Sequence, residues 1–154
     1  MSGALVVGLG TPERSDDGVG LIVVEQLRAE APKGVVIRAL PRQALDLLSL
    51  WTGYDRVWVV DAIQSGAPAG TCHRVQPPLP AAALGRGAPS THGLGLAECI
   101  ALAERLDALP AHLVIFGIEV ACVTPGEGLT PAVAAAVPAL VEQLRCELKV
   151  CGYA

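Results

Sequence analysis

The chain has 154 residues, of which 52% are hydrophobic and 17% charged, and its formal net charge is −4. This length suits one domain with a substantial core, and the composition excludes a disordered or fibrous protein. Because lysine and arginine form no cluster and aromatic residues make up only 3% of the chain, we expect neither nucleic acid nor a membrane surface as a partner.

Apolar runs and helical spacings alternate along the chain. The runs predict strands at Ala4–Gly8, Val35–Leu40, Arg56–Asp61 and Leu113–Gly117, and a short edge strand at Gly70–Val75. The helical spacings predict helices at Gly18–Ala31, Gln43–Leu50, Gly93–Leu106 and Thr130–Lys149. Such alternation predicts a single α/β domain over residues 1–154, with three α/β/α layers around a largely parallel or mixed sheet of about five strands.

A glycine-rich turn follows the first predicted strand and ends in two adjacent acids. Its sequence is Gly8-Leu9-Gly10-Thr11-Pro12-Glu13-Arg14-Ser15-Asp16-Asp17-Gly18. A dinucleotide-binding fingerprint would need glycine where Glu13 stands, and a phosphate-binding Walker loop would need a Gly-Lys-Ser/Thr ending. Carboxylates would repel a phosphate, so the turn favours a metal site.

Three groups are expected beyond the carboxyl ends of the strands, where ligands bind in open α/β sheets. They are Asp17 with its neighbour Asp16, Asp61 at the end of a buried strand, and His92 at the start of a helix. Together Asp17, Asp61 and His92 predict a divalent-cation site with open positions.

Each group also has a purely structural interpretation. Asp16 and Asp17 could cap the first helix, and Asp61 could accept backbone hydrogen bonds from the next turn. His92 could be a surface residue at a helix start. We rank Asp16 below Asp17, as a residue that supports the turn, and interpret His73 and His112 as structural.

The segment from Gln76 to Thr91 is rich in proline and glycine. A loop of this length inside a compact domain is more often functional than a simple connection. We expect it to cover a groove above the predicted metal site.

The remaining sequence signals concern compartment and redox state. Five cysteines form no Cys-x-x-Cys pair, so free thiols are favoured over a zinc site or a redox pair. No apolar run approaches the roughly 18 residues of a membrane-spanning helix, and no basic leader precedes the first strand. We therefore expect a cytoplasmic protein.

Five stretches, in order, resemble the [NiFe]-hydrogenase maturation proteases. They are the turn from Gly8 to Gly20, Val60-Asp61-Ala62, Ser90-Thr91-His92-Gly93-Leu94-Gly95-Leu96, Phe116-Gly117-Ile118-Glu119 and Leu129-Thr130-Pro131. The resemblance implies an endopeptidase that removes a C-terminal extension from a hydrogenase large-subunit precursor after nickel insertion. It also implies that Asp17, Asp61 and His92 bind nickel carried by the substrate, so that no permanently bound cofactor is needed.

One position departs from the family pattern, which has asparagine where this chain has Thr11. Since threonine tolerates a positive φ poorly, the turn geometry is expected to differ there.

The mechanism and the function class both have alternatives. Asp17 or Asp61 could serve as the base that activates water, or a metal ion could polarise the carbonyl or acidify the water. A nickel-checking chaperone of the same fold that does not cut, and a metal-dependent hydrolase of a small molecule, are the alternative functions. We expect the protein to act as a monomer.

Overall fold

The β-strands of the computed structural model carry the regions where the sequence places its site. The structure describes residues 3–30, 33–41, 46–77, 96–126 and 128–153. Within these ranges the strands are β1 (Ala4–Gly10), β2 (Val35–Pro41), β3 (Arg56–Ile63), β4 (Cys72–Val75) and β5 (His112–Glu119). The α-helices there are α1 (Val19–Glu30), α2 (Leu47–Leu50), α3 (Leu96–Arg105) and α4 (Pro131–Val150).

The strands form one mixed sheet in the order β2-β1-β3-β5-β4. The strands β2, β1, β3 and β5 run parallel to one another. β4 pairs antiparallel with β5 at one lateral edge of the sheet. The predicted sheet, including its short edge strand, is therefore confirmed. The carboxyl ends of β1, β3 and β5 meet at one edge of this sheet, and β4 begins there.

Helices cover both faces of the sheet, as the predicted three-layer architecture requires. Residues of α1 and α4 pack on one face around Val6, Trp58 and Phe116. Residues of α2 and α3 pack on the other face around Val7, Val59 and Ile115. Because alternate residues of a strand point to opposite faces, each of these strands supplies side chains to both cores.

Four element boundaries differ from the sequence prediction where the site lies. β1 continues to Gly10 and so includes the first part of the glycine-rich turn. β3 continues to Ile63, so Asp61 lies within the strand and not at its last residue. β5 continues to Glu119, which is 1% exposed. The first helix is preceded by one turn of 3-10 helix, Ser15–Gly18, which holds both acids of the glycine-rich turn. Local hydrophobic spacing could not show these ends, because pairing with neighbouring strands extends β3 and β5.

Two glycines allow α1 to lie directly against the sheet. A side chain on Gly8 would overlap the Gly20 carbonyl group, and one on Gly20 would overlap the carbonyl oxygens of Leu9 and Val60. The absence of both Cβ atoms therefore sets the depth of α1, and with it the position of the preceding 3-10 turn.

None of the helices in the described parts of the chain is long and apolar enough to cross a membrane.

Candidate functional site

Asp16 ties the glycine-rich turn to two distant segments. Its side chain is 0% exposed. Oδ1 accepts a hydrogen bond from the Thr130 N–H at 2.7 Å, and Oδ2 accepts one from the Thr130 hydroxyl at 2.7 Å. Oδ2 also accepts from the N–H groups of Ala121 at 2.9 Å and Cys122 at 3.0 Å. Asp16 therefore supports the turn, as ranked, and the interpretation that it caps the first helix is wrong.

These hydrogen bonds also decide the charge of Asp16. Burial opposes ionisation, but the donors of Thr130, Ala121 and Cys122 together outweigh it and hold the Asp16 pKa below its ordinary value of 3.8. The buried group is therefore a carboxylate at neutral pH. Its contacts fix the N-terminus of α4, where Thr130 is the N-cap and Pro131 the first helical residue.

Asp17 lies in the same 3-10 turn and is 7% exposed. Its Oδ2 accepts a hydrogen bond from the Thr11 N–H at 3.1 Å, which closes the glycine-rich turn on itself. Thr11 does not adopt the positive φ that threonine tolerates poorly, and whether this turn differs from the family pattern stays a prediction. Among the described non-glycine residues only Ser15 and Asp107 have a positive φ, and Ser15 at 52° takes the left-handed position in this turn.

Asp61 lies near the carboxyl end of β3, beside β1. Its Oδ1 accepts the Ala62 N–H at 2.8 Å, a local contact of the kind that the structural interpretation allowed. The 3-10 turn with Asp17 packs against both β1 and β3. The structure thus brings Asp17, in the turn that follows β1, and Asp61, near the end of the neighbouring strand β3, to the same end of the sheet.

His92 and most of the Gln76–Thr91 segment lie outside the described residues. Within the described ranges no group of three or more histidine, cysteine, aspartate or glutamate side chains could hold a metal ion. The three-residue metal site therefore stays a prediction.

The structure also reveals a buried acid that sequence reasoning did not assign. Glu119 Oε1 lies 3.2 Å from His73 Nε2, and the Glu119 carboxylate accepts hydrogen bonds from the N–H and the hydroxyl of Ser65. His73 thus has an acidic partner, although 46 residues separate the two in sequence. The local signals were its position after a buried apolar run and its place in the Phe116-Gly117-Ile118-Glu119 stretch, and neither indicated a partner.

The cysteines match the expectation of free thiols. All five are unpaired, and only Cys99 among them is buried. Burial raises the Cys99 pKa to about 11. Hydrogen bonds from Thr124 lower the pKa of Cys122, whose Sγ lies 3.0 Å from the Thr124 hydroxyl oxygen.

Comparisons with known proteins agree on one family. A family model described as hydrogenase maturation protease matches residues 22–147. The hydrogenase 2 maturation protease of Escherichia coli strain K12 is 29% identical over 150 residues, covering 96% of this chain and 92% of the relative. The solved structure of the hydrogenase maturating endopeptidase HybD from E. coli superimposes with a TM-score of 0.83 at 28% identity, covering 98% of this chain and 94% of that one.

Other relatives are considerably longer than this chain. The hydrogenase expression/formation protein HupD of Thiocapsa roseopersicina is 32% identical over 117 residues, which are 75% of this chain and 53% of that protein. The chain thus spans about half the length of this curated relative. The family match nevertheless extends over most of the fold, including β2, β3, β4, β5 and the helices between them. The chain belongs to the hydrogenase maturation protease family.

Proposed function

We propose that this protein is an endopeptidase that removes the C-terminal extension of a [NiFe]-hydrogenase large-subunit precursor. The observation that carries the proposal is that the turn with Asp17, which follows β1, lies against the neighbouring strand β3 that holds Asp61, in a member of this family. Two carboxylates at a sheet edge suit peptide hydrolysis, because one can accept a proton from water while the other binds a cation.

In this proposal nickel is part of the substrate and serves recognition, with Asp17, Asp61 and His92 as the residues that bind it. The donor types fit, since carboxylate and imidazole bind divalent transition metals. The near-complete burial of Asp17 and the Thr11 hydrogen bond orient its carboxylate before substrate arrives. Such orientation reduces the reorganisation needed on binding.

The reaction requires one water molecule. Asp17 or Asp61 takes a proton from the water, whose oxygen bonds to the carbonyl carbon of the scissile amide. The carbon–nitrogen bond then breaks, and the proton passes to the leaving amine, so that the products are a carboxylate on the large subunit and a free peptide. We place this reaction in the cytoplasm and assign it to a monomer, in keeping with the sequence analysis.

The test is incubation of nickel-loaded and nickel-free precursor with the purified protein, followed by intact-mass measurement. We expect loss of a C-terminal peptide only from the nickel-loaded precursor. Asp17→Asn and Asp61→Asn should slow cleavage by about 10²–10⁴-fold, the range for removing a general base. Asp55→Asn is the matched control, because exposed Asp55 immediately precedes β3, at the opposite end of the strand from Asp61.

Other outcomes discriminate between the functions. A stable complex with precursor that stays uncut would overturn the protease proposal and favour a nickel-checking chaperone. Equal cleavage of nickel-free precursor would remove the recognition role of nickel. Cleavage by Asp17→Asn and Asp61→Asn at the wild-type rate would show that neither carboxylate acts in the reaction.

A further inference from the structure

Glu119 anchors a cluster of three side chains at the β4 edge of the sheet. Its carboxylate is almost completely buried at 1% exposed, and it accepts two hydrogen bonds from Ser65, one from the N–H and one from the hydroxyl. These two donors fasten the segment after β3 to the end of β5. They already provide hydrogen-bond donors to the buried Glu119 carboxylate, so the His73 contact is not needed only to supply a donor.

The Glu119 contact fixes the orientation of the His73 ring. A carboxylate accepts hydrogen bonds, so Nε2 of His73 donates to Oε1 across 3.2 Å. In the neutral ring Nδ1 is then an acceptor. The His73 side chain is 30% exposed, so an oriented imidazole lies partly open to solvent.

The His73 imidazole and the Asp61 side chain are aligned across the sheet, perpendicular to the strands. Both residues are in register with Gly117 of β5, Asp61 from β3 and His73 from β4. By strand alternation both side chains lie on the face that α2 and α3 cover, since Val59 and Val75 belong to that core. Two strand spacings separate them, which is about 10 Å.

In the described part of the chain an apolar side chain lies between them. The side chain of Ile63 lies over Gly117, where an added Cβ would be 2.9 Å from two of its carbon atoms. Asp61 and His73 are therefore not partners in one metal site. They are two separate polar positions along a line that crosses the sheet edge.

We infer that His73 is a substrate-binding residue: its Nδ1 accepts a main-chain N–H of the precursor about three residues from the scissile bond. The spacing follows from the geometry, because an extended peptide advances about 3.3 Å per residue and must cover about 10 Å from Asp61. Glu119 and Ser65 act as positioning residues for the ring. This inference rests on the proposed endopeptidase function.

Steady-state cleavage of nickel-loaded precursor by His73 variants tests the inference. His73→Phe keeps a flat ring but loses the acceptor, and we expect KM to rise about three- to tenfold with kcat unchanged, the effect of one lost hydrogen bond. His73→Asn restores an acceptor near the Nδ1 position and should recover part of the KM. His112→Phe is the matched control, because exposed His112 begins β5 and so lies at the opposite end of that strand from Glu119.

A second arm locates the contact on the substrate. Proline placed in the precursor at the contacted residue removes its N–H, so the His73→Phe variant should then bind no worse than wild type. Thermal unfolding of each variant separates a loss of binding from a loss of folding, and His73→Leu, which also lacks an acceptor, replaces His73→Phe if the latter does not fold.

The outcomes are distinct. If wild-type protein leaves the precursor uncut, the proposed function fails and this inference falls with it. If wild type cuts, but His73→Phe has the same KM as His112→Phe, only the inference is overturned. A fall in kcat with unchanged KM would also overturn it, because it would place His73 in the chemical step.

Discussion

Adjacent acids in the glycine-rich turn have different tasks. Asp16 is fully buried and is bound by donors from three residues that follow β5 or begin α4. Asp17 is bound by the Thr11 N–H within its own turn and lies beside β3. A buried carboxylate with this many donors has a structural role, whereas the role proposed for Asp17 is in the reaction.

Asp16→Asn should lower the free energy of unfolding by about 3 kcal/mol, because an amide turns one oxygen acceptor into a donor that faces other donors. Urea denaturation followed by circular dichroism measures this loss. Asp107→Asn is the matched control and should be nearly neutral, because Asp107 has a φ of 52°, a conformation that asparagine accepts well. Equal stability of the Asp16→Asn variant and wild type would refute the structural role of Asp16.

The cysteines should differ in reactivity by their surroundings. At pH 8 we expect iodoacetamide to alkylate Cys122 well before Cys99, since the Cys122 pKa is lowered by Thr124 and the buried Cys99 has a pKa of about 11. Peptide mass mapping over time measures the order in which the two cysteines are alkylated. Thr124→Val should slow Cys122 labelling, and rapid labelling of Cys99 in the folded protein would contradict its burial.

At the scale of elements, β1, the 3-10 turn and α1 form one unit whose geometry depends on close backbone contact. Gly8 and Gly20 face each other where α1 crosses β1, and neither has room for a Cβ atom. Because the 3-10 turn joins these two elements, their separation sets where Asp17 stands. The glycines thus act on the site through packing and not through phosphate binding.

Gly20→Ala should therefore destabilise the protein by about 1–3 kcal/mol, as overpacking does, although alanine favours a helix by about 1 kcal/mol. It should also slow the proposed cleavage of the precursor, since α1 and the turn must shift together. Gly3→Ala is the control, because an added Cβ there would meet Tyr54 at an ordinary 3.5 Å. A more stable Gly20→Ala protein would show that the helix can move away without cost.

Across the whole molecule, ionic and hydrogen-bonding contacts join the β4 edge to α4. Glu147 of α4 accepts hydrogen bonds from Arg74 at 2.7 and 3.0 Å and from the Trp58 ring N–H at 3.1 Å. Burial opposes ionisation of Glu147, but these donors hold its pKa below the ordinary value. Glu147 and Asp16 thus both stabilise the fold as carboxylates, at opposite ends of α4.

The free energy of unfolding should consequently fall at acid pH. Both carboxylates have lower pKa values folded than unfolded, so the unfolded chain binds more protons and stability rises with pH through this window. Their contribution is complete above the unfolded values near 4 and is lost as pH falls through the folded ones. Urea denaturation between pH 3 and 7 should show a shallower acid loss for Asp16→Asn/Glu147→Gln than for wild type. Exposed Glu142→Gln should keep the wild-type slope.

Local sequence patterns were sufficient for most of the architecture. Strand and helix order, a sheet of about five strands and the family follow from the residues, because hydrophobic periodicity and the ordered motifs are properties of short segments. Whether the sheet is parallel or mixed was left open, and the antiparallel pairing of β4 with β5 decides it. The same patterns identified Asp17 and Asp61 as candidates, since parallel strands leave their carboxyl ends at one edge. Their catalytic role and that of His92 stay predictions.

Local sequence patterns do not predict contacts between segments that are distant in sequence. The sequence left open whether Asp16 caps the first helix or supports the turn. Its hydrogen-bond partners, 105 to 114 residues away, show that it supports the turn. His73 had no acid near it in sequence, yet the antiparallel pairing of β4 with β5 brings Glu119 to it. Sequence therefore identifies which side chains can do chemistry, and folding sets which of them meet, because strand order in the sheet depends on the packing of the whole chain.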